Sequence, residues 1–308
     1  MGRIAFVFSG QGAQYPGMGR DLYEASPAAR EIFDLAESLR PGTLSQCFSG
    51  TKEELSQTIN TQPCLFAMDL ACAAALAEAG VKAEAAAGFS LGEVAAAAFC
   101  GMMPAADAFQ AVCKRGEWMD ACAQAHPGSM AAIVKLTAEQ VEALCREFSQ
   151  VYSVNYNSPG QTVVAGAREE MPSFMEKAAA AGGRAIPLAV SGAFHSPFME
   201  EASEKLHGLL NSLPLSPPAL PLYANATALP YGENPAELLS RQVKSPVQWQ
   251  KTVENMLADG YDTFIEVGAG KTLAGLIKKI GGAKRICNVT DCATLQATLE
   301  ALKEDSAC

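Results

Sequence analysis

The chain has 308 residues, 49% of them hydrophobic and 18% charged, with a formal net charge of −10. That is enough sequence for a sizeable core and two structural units. The acidic balance is the opposite of what phosphate contacts need, which argues against nucleic acid, and no apolar run approaches the ~20 residues that cross a bilayer, so no membrane partner is expected.

In chain order, residues 4–8 (IAFVF) read as a first strand. One arginine before a very short apolar run, with no small-residue cleavage site, does not describe a signal peptide. The N-terminus also lacks the Ser/Thr that myristoylation requires, Phe6 standing there instead. A glycine-rich loop, Gly10-Gln11-Gly12-Ala13-Gln14, follows. Residues 62–79 (QPCLFAMDLACAAALAEA) predict a helix ended by Gly80, and residues 83–89 lead into Gly88-Phe89-Ser90-Leu91-Gly92.

This is a G-x-S-x-G set between an Ala-rich run and a helix over 93–100, which Gly101 and Pro104 stop. It describes a sharp strand-to-helix turn carrying an exposed serine. The glycines supply backbone freedom at the corners and leave room for close strand–helix approach. At the helix N-terminus, free N–H groups and the dipole favour an oxyanion on a carbonyl that Ser90 attacks. A serine in an ordinary turn produces the same letters, so the motif makes Ser90 a candidate nucleophile and no more. A further helix over 105–123 carries Lys114-Arg115-Gly116-Glu117.

From residue 125 the texture changes. Residues 129–136 read as a strand, and Thr137-x-x-Gln140 is a capping box opening a helix to Phe148. Strands over 152–155 and 162–165 flank an Asn157-Ser158-Pro159-Gly160 turn, a hairpin signal. A helix over 168–181 and a strand over 184–190 complete a β-α-β-β-α-β order, which is ferredoxin-like. After His195 come a helix over 196–213, a strand over 221–225, helices over 236–242 and 247–257, a strand over 263–267, a helix over 271–280 and a final strand over 285–289. Strands alternating with helices imply a mostly parallel sheet. The fold class is therefore α/β: a large domain over 1–124 and 192–308, with a small ferredoxin-like α+β subdomain inserted over 125–191. Ser90 then lies at the carboxyl edge of the large sheet, where open α/β folds place their sites.

Ten cysteines are scattered along the chain, many in apolar helical runs, with no C-x-x-C. They read as reduced, mostly buried thiols of a cytoplasmic protein, not as a disulfide framework or a zinc site. Local cationic groups are Lys114-Arg115, Arg241 with Lys244, and Lys278-Lys279 with Lys284-Arg285. Most of these read as solvated surface charge.

A nucleophilic serine needs a base, and the chain holds three histidines. His126 sits in a Pro-Gly loop, and His207 lies in an amphipathic helix. His195 stands where the inserted subdomain ends, at a junction facing an inter-domain cleft, and is the candidate base. No acid between Ser90 and His195 stands out as its orienting partner, which leaves a backbone carbonyl open for that role.

Eight blocks occur in order: G-Q-G-A-Q, G-F-S-L-G-E, K-R-G, G-S-M-A-A, N-Y-N-S-P-G-Q-T-V-V-A-G, G-A-F-H-S-P-F-M, S-P-V-Q-W and F-I-E-V-G-A-G-K. From Phe6 to about Ile280 the chain resembles the malonyl-CoA–acyl carrier protein transacylases of fatty acid synthesis and the related acyltransferases of polyketide synthases. The resemblance implies a hydrolase-like core with a ferredoxin-like insert. It implies Ser90 as nucleophile and His195 as base and acid, with the imidazole held by a main-chain carbonyl near Gln242. Backbone N–H groups of Gln11 and Leu91 become the oxyanion hole, and Arg115 binds the free malonyl carboxylate. Phe194 takes the position where a bulky ring accompanies malonyl over methylmalonyl, and Asn155 and Gln161 line the cleft. Departures are Phe89, where the family has histidine, Ser9 in the first loop and Ala269 in the last block, where proline is usual. None removes a catalytic group.

The implied activity is transfer of malonyl from malonyl-CoA to the phosphopantetheine thiol of acyl carrier protein, in a ping-pong reaction through malonyl-Ser90. Malonyl-CoA is a substrate, and no metal or cofactor is expected. The expected protein is a cytoplasmic monomer. Two alternatives use the same residues: a free-standing acyltransferase serving a polyketide synthase, and a serine acyl hydrolase in which water takes the acyl group. Lys244 and Lys278-Lys279 are candidates for a carrier-protein docking rim.

Overall fold

The computed structural model describes residues 2–304. Met1 and Cys308, on which part of the N-terminal and cysteine readings falls, lie outside the described residues. The strands in chain order are β1 (Arg3–Phe8), β2 (Ala85–Gly88), β3 (Gly128–Val134), β4 (Val151–Ser158), β5 (Gln161–Ala167), β6 (Arg184–Pro187), β7 (Leu222–Tyr223), β8 (Tyr261–Val267) and β9 (Arg285–Val289).

The larger sheet runs β7-β2-β1-β8-β9, with every neighbouring pair parallel. Parallel strands are apolar on both faces because helices cover both. The two-residue alternation of a strand divides β1 between two cores. Ile4, Phe6 and Phe8 pack with the helices Thr58–Glu78 and Leu91–Phe99. Ala5 and Val7 pack with the helices Trp249–Ala258 and Thr272–Ile280 on the other face. β2 follows the same rule with alanines, Ala86 on the first face and Ala85 and Ala87 on the second.

Helix Thr58–Glu78 corrects one sequence expectation. It has 21 residues and is apolar enough to cross a membrane by length and composition, yet 89% of that window is buried inside the fold. It starts a turn before the predicted Gln62. Pro63 removes one N–H, but Thr61 Oγ1 donates to Leu55 O and Gln57 O and ties that extra turn down. No element is predicted between residues 15 and 61 or after 289, and the structure places helices Arg20–Ala25, Pro27–Leu39, Thr43–Ser49, Lys52–Leu55 and Cys292–Glu304 there. One of them has a readable start: Ser26 precedes Pro27, and Ser26 Oγ accepts from Ala29 N at 3.1 Å.

The second sheet is antiparallel, in the order β4-β5-β3-β6. Helices Ala138–Cys145 and Met171–Ala180 cover one face, packing Val141, Phe174 and Ala178 against Ile133, Val151 and Val164. The capping box forms, with Gln140 Oε1 accepting from Thr137 N at 2.9 Å and Thr137 Oγ1 from Gln140 N at 3.3 Å. That helix stops at Cys145, short of the predicted Phe148. Glu147 N and Phe148 N take i−3 carbonyls instead, tightening the last turn. The hairpin strands run to Ser158 and from Gln161, so Asn157 and Ser158 belong to β4 and the turn is Pro159-Gly160, with Gly160 at φ 70°. Val247 ties this sheet to the larger domain: its N–H donates to Val154 O and its carbonyl accepts from Tyr156 N, both at 2.9 Å. The face of this sheet not covered by helices turns toward Ser90.

The nine described cysteines are unbridged, and six of them are buried.

Candidate active site

Ser90 links β2 to the helix Leu91–Phe99 with φ 56° and ψ −106°. A non-glycine residue held there costs on the order of 1–3 kcal/mol and persists only where its surroundings over-determine it. The strain sits on the serine and not on the glycines, correcting part of the sequence expectation: neither Gly88 nor Gly92 has a positive φ. Their role is close approach alone. A Cβ on Gly88 would lie 2.0 Å from Gly92 C, and one on Gly92 would lie 2.3 Å from Phe8 O.

His195 arrives from the loop after the small sheet, also at positive φ (60°), with its N–H donating to Val243 O at 3.1 Å. Its Nε2 is 2.7 Å from Ser90 Oγ, and its Nδ1 is 2.8 Å from the main-chain carbonyl of Gln242. A carbonyl only accepts, so Nδ1 carries the hydrogen and Nε2 is left to take the Ser90 proton. No carboxylate is needed to set this tautomer.

Arg115 is 1% exposed, on the inner face of the helix Ala105–Ala125. Its NH1 donates to Gln62 Oε1 at 2.8 Å, and its NH2 donates to Gln242 Oε1 at 3.0 Å and to Ser90 Oγ at 3.2 Å. Its Nε is buried and has no partner among the described residues. Lys114, one residue earlier, faces out and pairs with Glu117 at 2.7 Å. Burial brings the Arg115 guanidinium down to about 10, so it stays charged at neutral pH.

Gln242 Nε2 donates to Ser90 O at 2.7 Å, and Asn225 Oδ1 accepts from Ser90 N at 2.7 Å. Behind them Glu93, fully buried, accepts from Asn225 N at 3.2 Å and from Tyr231 OH at 2.5 Å. Burial pushes the Glu93 carboxyl up to about 8. Gln62, Asn225 and Glu93 are not among the residues the sequence singles out as a site. The one available signal is position: Asn225 follows β7, the strand beside β2 in the sheet.

A cavity of about 260 Å³ opens over Ser90 and His195. Residues 10–13 form one side, with Gln11 among them, and its side chain donates to Thr58 Oγ1 at 3.3 Å. Met119, Met130, Val163, Leu188, Val190 and Phe194 make the apolar wall, and Asn155, Asn157 and Gln161 are polar points on it. The N–H groups of Leu91 and Gln11 make no hydrogen bond among the described residues. Arg115, Gln242 and Leu91 do not line this cavity themselves, but Arg115 NH2 reaches Ser90 Oγ at its floor, 3.2 Å away. Phe89 also lines the cavity and packs edge-on against Trp249, with ring centroids 5.5 Å apart. His126 packs on Phe198, and His207 bonds Asn211 and Ser240; neither lines the cavity. Lys244 pairs with Glu200, whereas Lys278 and Lys279 lie exposed on the helix whose Leu273 and Leu276 line the cavity.

Burial, with the Arg115 charge acting in the same direction, lowers the His195 pKa to about 4. The imidazole is therefore neutral, and able to accept a proton, at all pH values well above that. In a pH series, kcat/KM should hold down to about pH 5 and fall as pH drops through about 4. A bound carboxylate offsets the Arg115 charge and raises the imidazole pKa, so the acid limb of kcat should lie at higher pH than that of kcat/KM. Coincident limbs would show that Arg115 meets no anion.

Comparison with known proteins finds one family over nearly the whole chain. The model of the acyl transferase domain family matches residues 5–296. A malonyl CoA-acyl carrier protein transacylase of Bacillus subtilis is 38% identical over 314 aligned positions, covering 99% of each chain. The crystal structure of a malonyl CoA-acyl carrier protein transacylase from Clostridium perfringens superposes with a TM-score of 0.95 at 36% identity, covering 99% of this chain and 98% of that one. A malonyl-transacylase solved in complex with its holo type II PKS acyl-carrier protein superposes with a TM-score of 0.92 at 34% identity, covering 97% of this chain and 99% of that one.

Proposed function

The chain belongs to the acyl transferase domain family, as an enzyme of its malonyl CoA-acyl carrier protein transacylase group, and from that premise we propose that it moves malonyl from malonyl-CoA to the phosphopantetheine thiol of acyl carrier protein through a malonyl-Ser90 ester. In the first step His195 Nε2 takes the Ser90 proton as Oγ attacks the thioester carbonyl. The oxyanion is met by the Leu91 and Gln11 N–H groups, donors of a kind worth about 2.7–4 kcal/mol each. The tetrahedral intermediate collapses, the C–S bond breaks, and His195 returns the proton to the departing CoA sulfur. In the second step the carrier thiol gives its proton to His195 and attacks the ester, and Ser90 leaves with the proton restored.

Arg115 supports malonyl as the acyl group, and it is the single observation that carries this reading. A malonyl ester on Ser90 places its free carboxylate two C–C bonds from Oγ's own carbonyl carbon. Arg115 NH2 is already 3.2 Å from Oγ, and Nε on the same edge has no partner among the described residues. That edge suits a bidentate carboxylate. An acetyl group leaves it unmet.

The test compares transfer with hydrolysis. Incubated with malonyl-CoA and holo-acyl carrier protein, the chain should form malonyl-carrier protein much faster than free malonate. Malonate release that outpaces transfer would make it a hydrolase.

A further inference from the structure

We propose that Asn225 is a positioning residue of the reaction, its side-chain amide clamping both sides of the turn that carries Ser90. The proposal rests on the reading of Ser90 as nucleophile. Asn225 is 1% exposed and lies just past β7, beside the end of β2. Its Oδ1 accepts from Ser90 N at 2.7 Å, and its Nδ2 donates to Gly88 O at 2.5 Å. One planar amide thus joins the residue before the turn to its apex. The orientation of that amide is fixed by its partners, because an N–H faces one end and a carbonyl the other.

Two side chains then hold the strained serine. Gln242 Nε2 grips its carbonyl at 2.7 Å and Asn225 Oδ1 its amide at 2.7 Å. Asn225 is itself braced. Its N–H donates to Glu93 Oε1 at 3.2 Å, its carbonyl accepts from Gln248 N at 2.9 Å, and Tyr231 OH holds the same Glu93 oxygen at 2.5 Å. The clamp also sorts the amides of the turn. The Ser90 N–H is consumed by Asn225, so the Leu91 N–H is the one left to face an oxyanion. Asn225 touches no reacting atom; it acts by holding Oγ on the line to His195 Nε2.

The test uses two variants of the full chain and two readouts, each normalised to folded protein by circular dichroism. Asn225→Ala removes both clamp bonds. Asn225→Asp keeps an acceptor for Ser90 N but turns a second oxygen against the Gly88 carbonyl. Misplacement of reacting groups by small distances costs about 10²-fold. Asn225→Ala should therefore lose about 10²-fold in kcat, and Asn225→Asp about 10-fold or more, with KM for malonyl-CoA within about threefold of the parent. The rate of Ser90 labelling by a fluorophosphonate should fall in step. That readout uses no malonyl-CoA, so it separates failure of the clamp from failure of the malonyl reading. If Asn225→Ala does not fold, Asn225→Asp decides alone. A kcat and labelling rate within about threefold of the parent in Asn225→Asp, or a loss confined to KM, overturns the proposal.

Discussion

Arg115→Ala is expected to lower kcat/KM for malonyl-CoA by about 10²–10⁴-fold, while transfer of acetyl from acetyl-CoA changes far less. The guanidinium is 1% exposed and charged at neutral pH, so a malonyl carboxylate entering this site forms a buried pair. Removing one member of such a pair costs about 3–5 kcal/mol, because the other charge stays buried without a partner. Each 1.36 kcal/mol is a factor of about ten in rate, which sets the predicted range. Acetyl brings no charge and loses only the indirect effect of freeing Gln62 and Gln242. Arg115→Lys keeps a charge but not the fork, and should recover part of the loss. Without the Arg115 charge, one of the forces depressing the His195 pKa is also gone, so the acid limb of kcat/KM should move to higher pH. Steady-state kinetics with the two thioesters, across pH, measure all of this. Equal losses for malonyl and acetyl would assign Arg115 a structural role instead.

His195→Ala is expected to be more severe, on the order of 10⁴–10⁶-fold in kcat, by analogy with hydrolases whose serine and histidine act as one unit. In the proposed mechanism the imidazole serves both half-reactions, taking a proton from Ser90 Oγ in one and from the carrier thiol in the other. The Ser90→Ala/His195→Ala double variant should therefore be no slower than either single variant, since neither group works without the other. Measured rates that multiply in the double variant would contradict a Ser–His unit. On that mechanism the residual rate in each case should come from the proposed oxyanion donors and binding, which these substitutions leave in place.

The serine turn was legible because its chemistry is local: a few consecutive residues between an apolar run and a helix describe it. His195 was legible as one of three histidines standing at a domain junction, though the 105 residues separating it from Ser90 hide the contact itself. The group that orients it was not legible. A main-chain carbonyl has no letter of its own, so only the family resemblance pointed to Gln242. Arg115 shows how little a local run decides. Lys114 and Arg115 are neighbours, yet the helix turns one toward Glu117 and solvent and the other toward Ser90. Gln62, Asn225 and Glu93 were missed because an amide or carboxylate in an apolar stretch gives no sign of which distant backbone it will meet. Phe89, the odd residue of the motif, finds a packing reason in Trp249, which the helix Trp249–Ala258 brings under the sheet. The parallel sheet and the β-α-β-β-α-β order are both readable from alternating periods, whereas the helices Arg20–Ala25, Thr43–Ser49 and Lys52–Leu55 are too short to show a helical period. Pro27–Leu39 is long enough and amphipathic, burying Ala29, Phe33 and Ala36, and was legible in principle from that spacing and from Ser26-Pro27 at its start.

A covalent malonyl-Ser90 ester is the central feature of the proposed mechanism, and intact-mass measurement after brief exposure to malonyl-CoA without any carrier protein tests it most directly. The chain should gain the mass of one malonyl group, mapped by peptide analysis to Ser90, and should lose it again on addition of holo-acyl carrier protein as that protein gains it. Ser90→Ala should gain nothing. A parent chain that transfers malonyl without ever carrying it, or an adduct that persists in Ser90→Ala, would contradict the account.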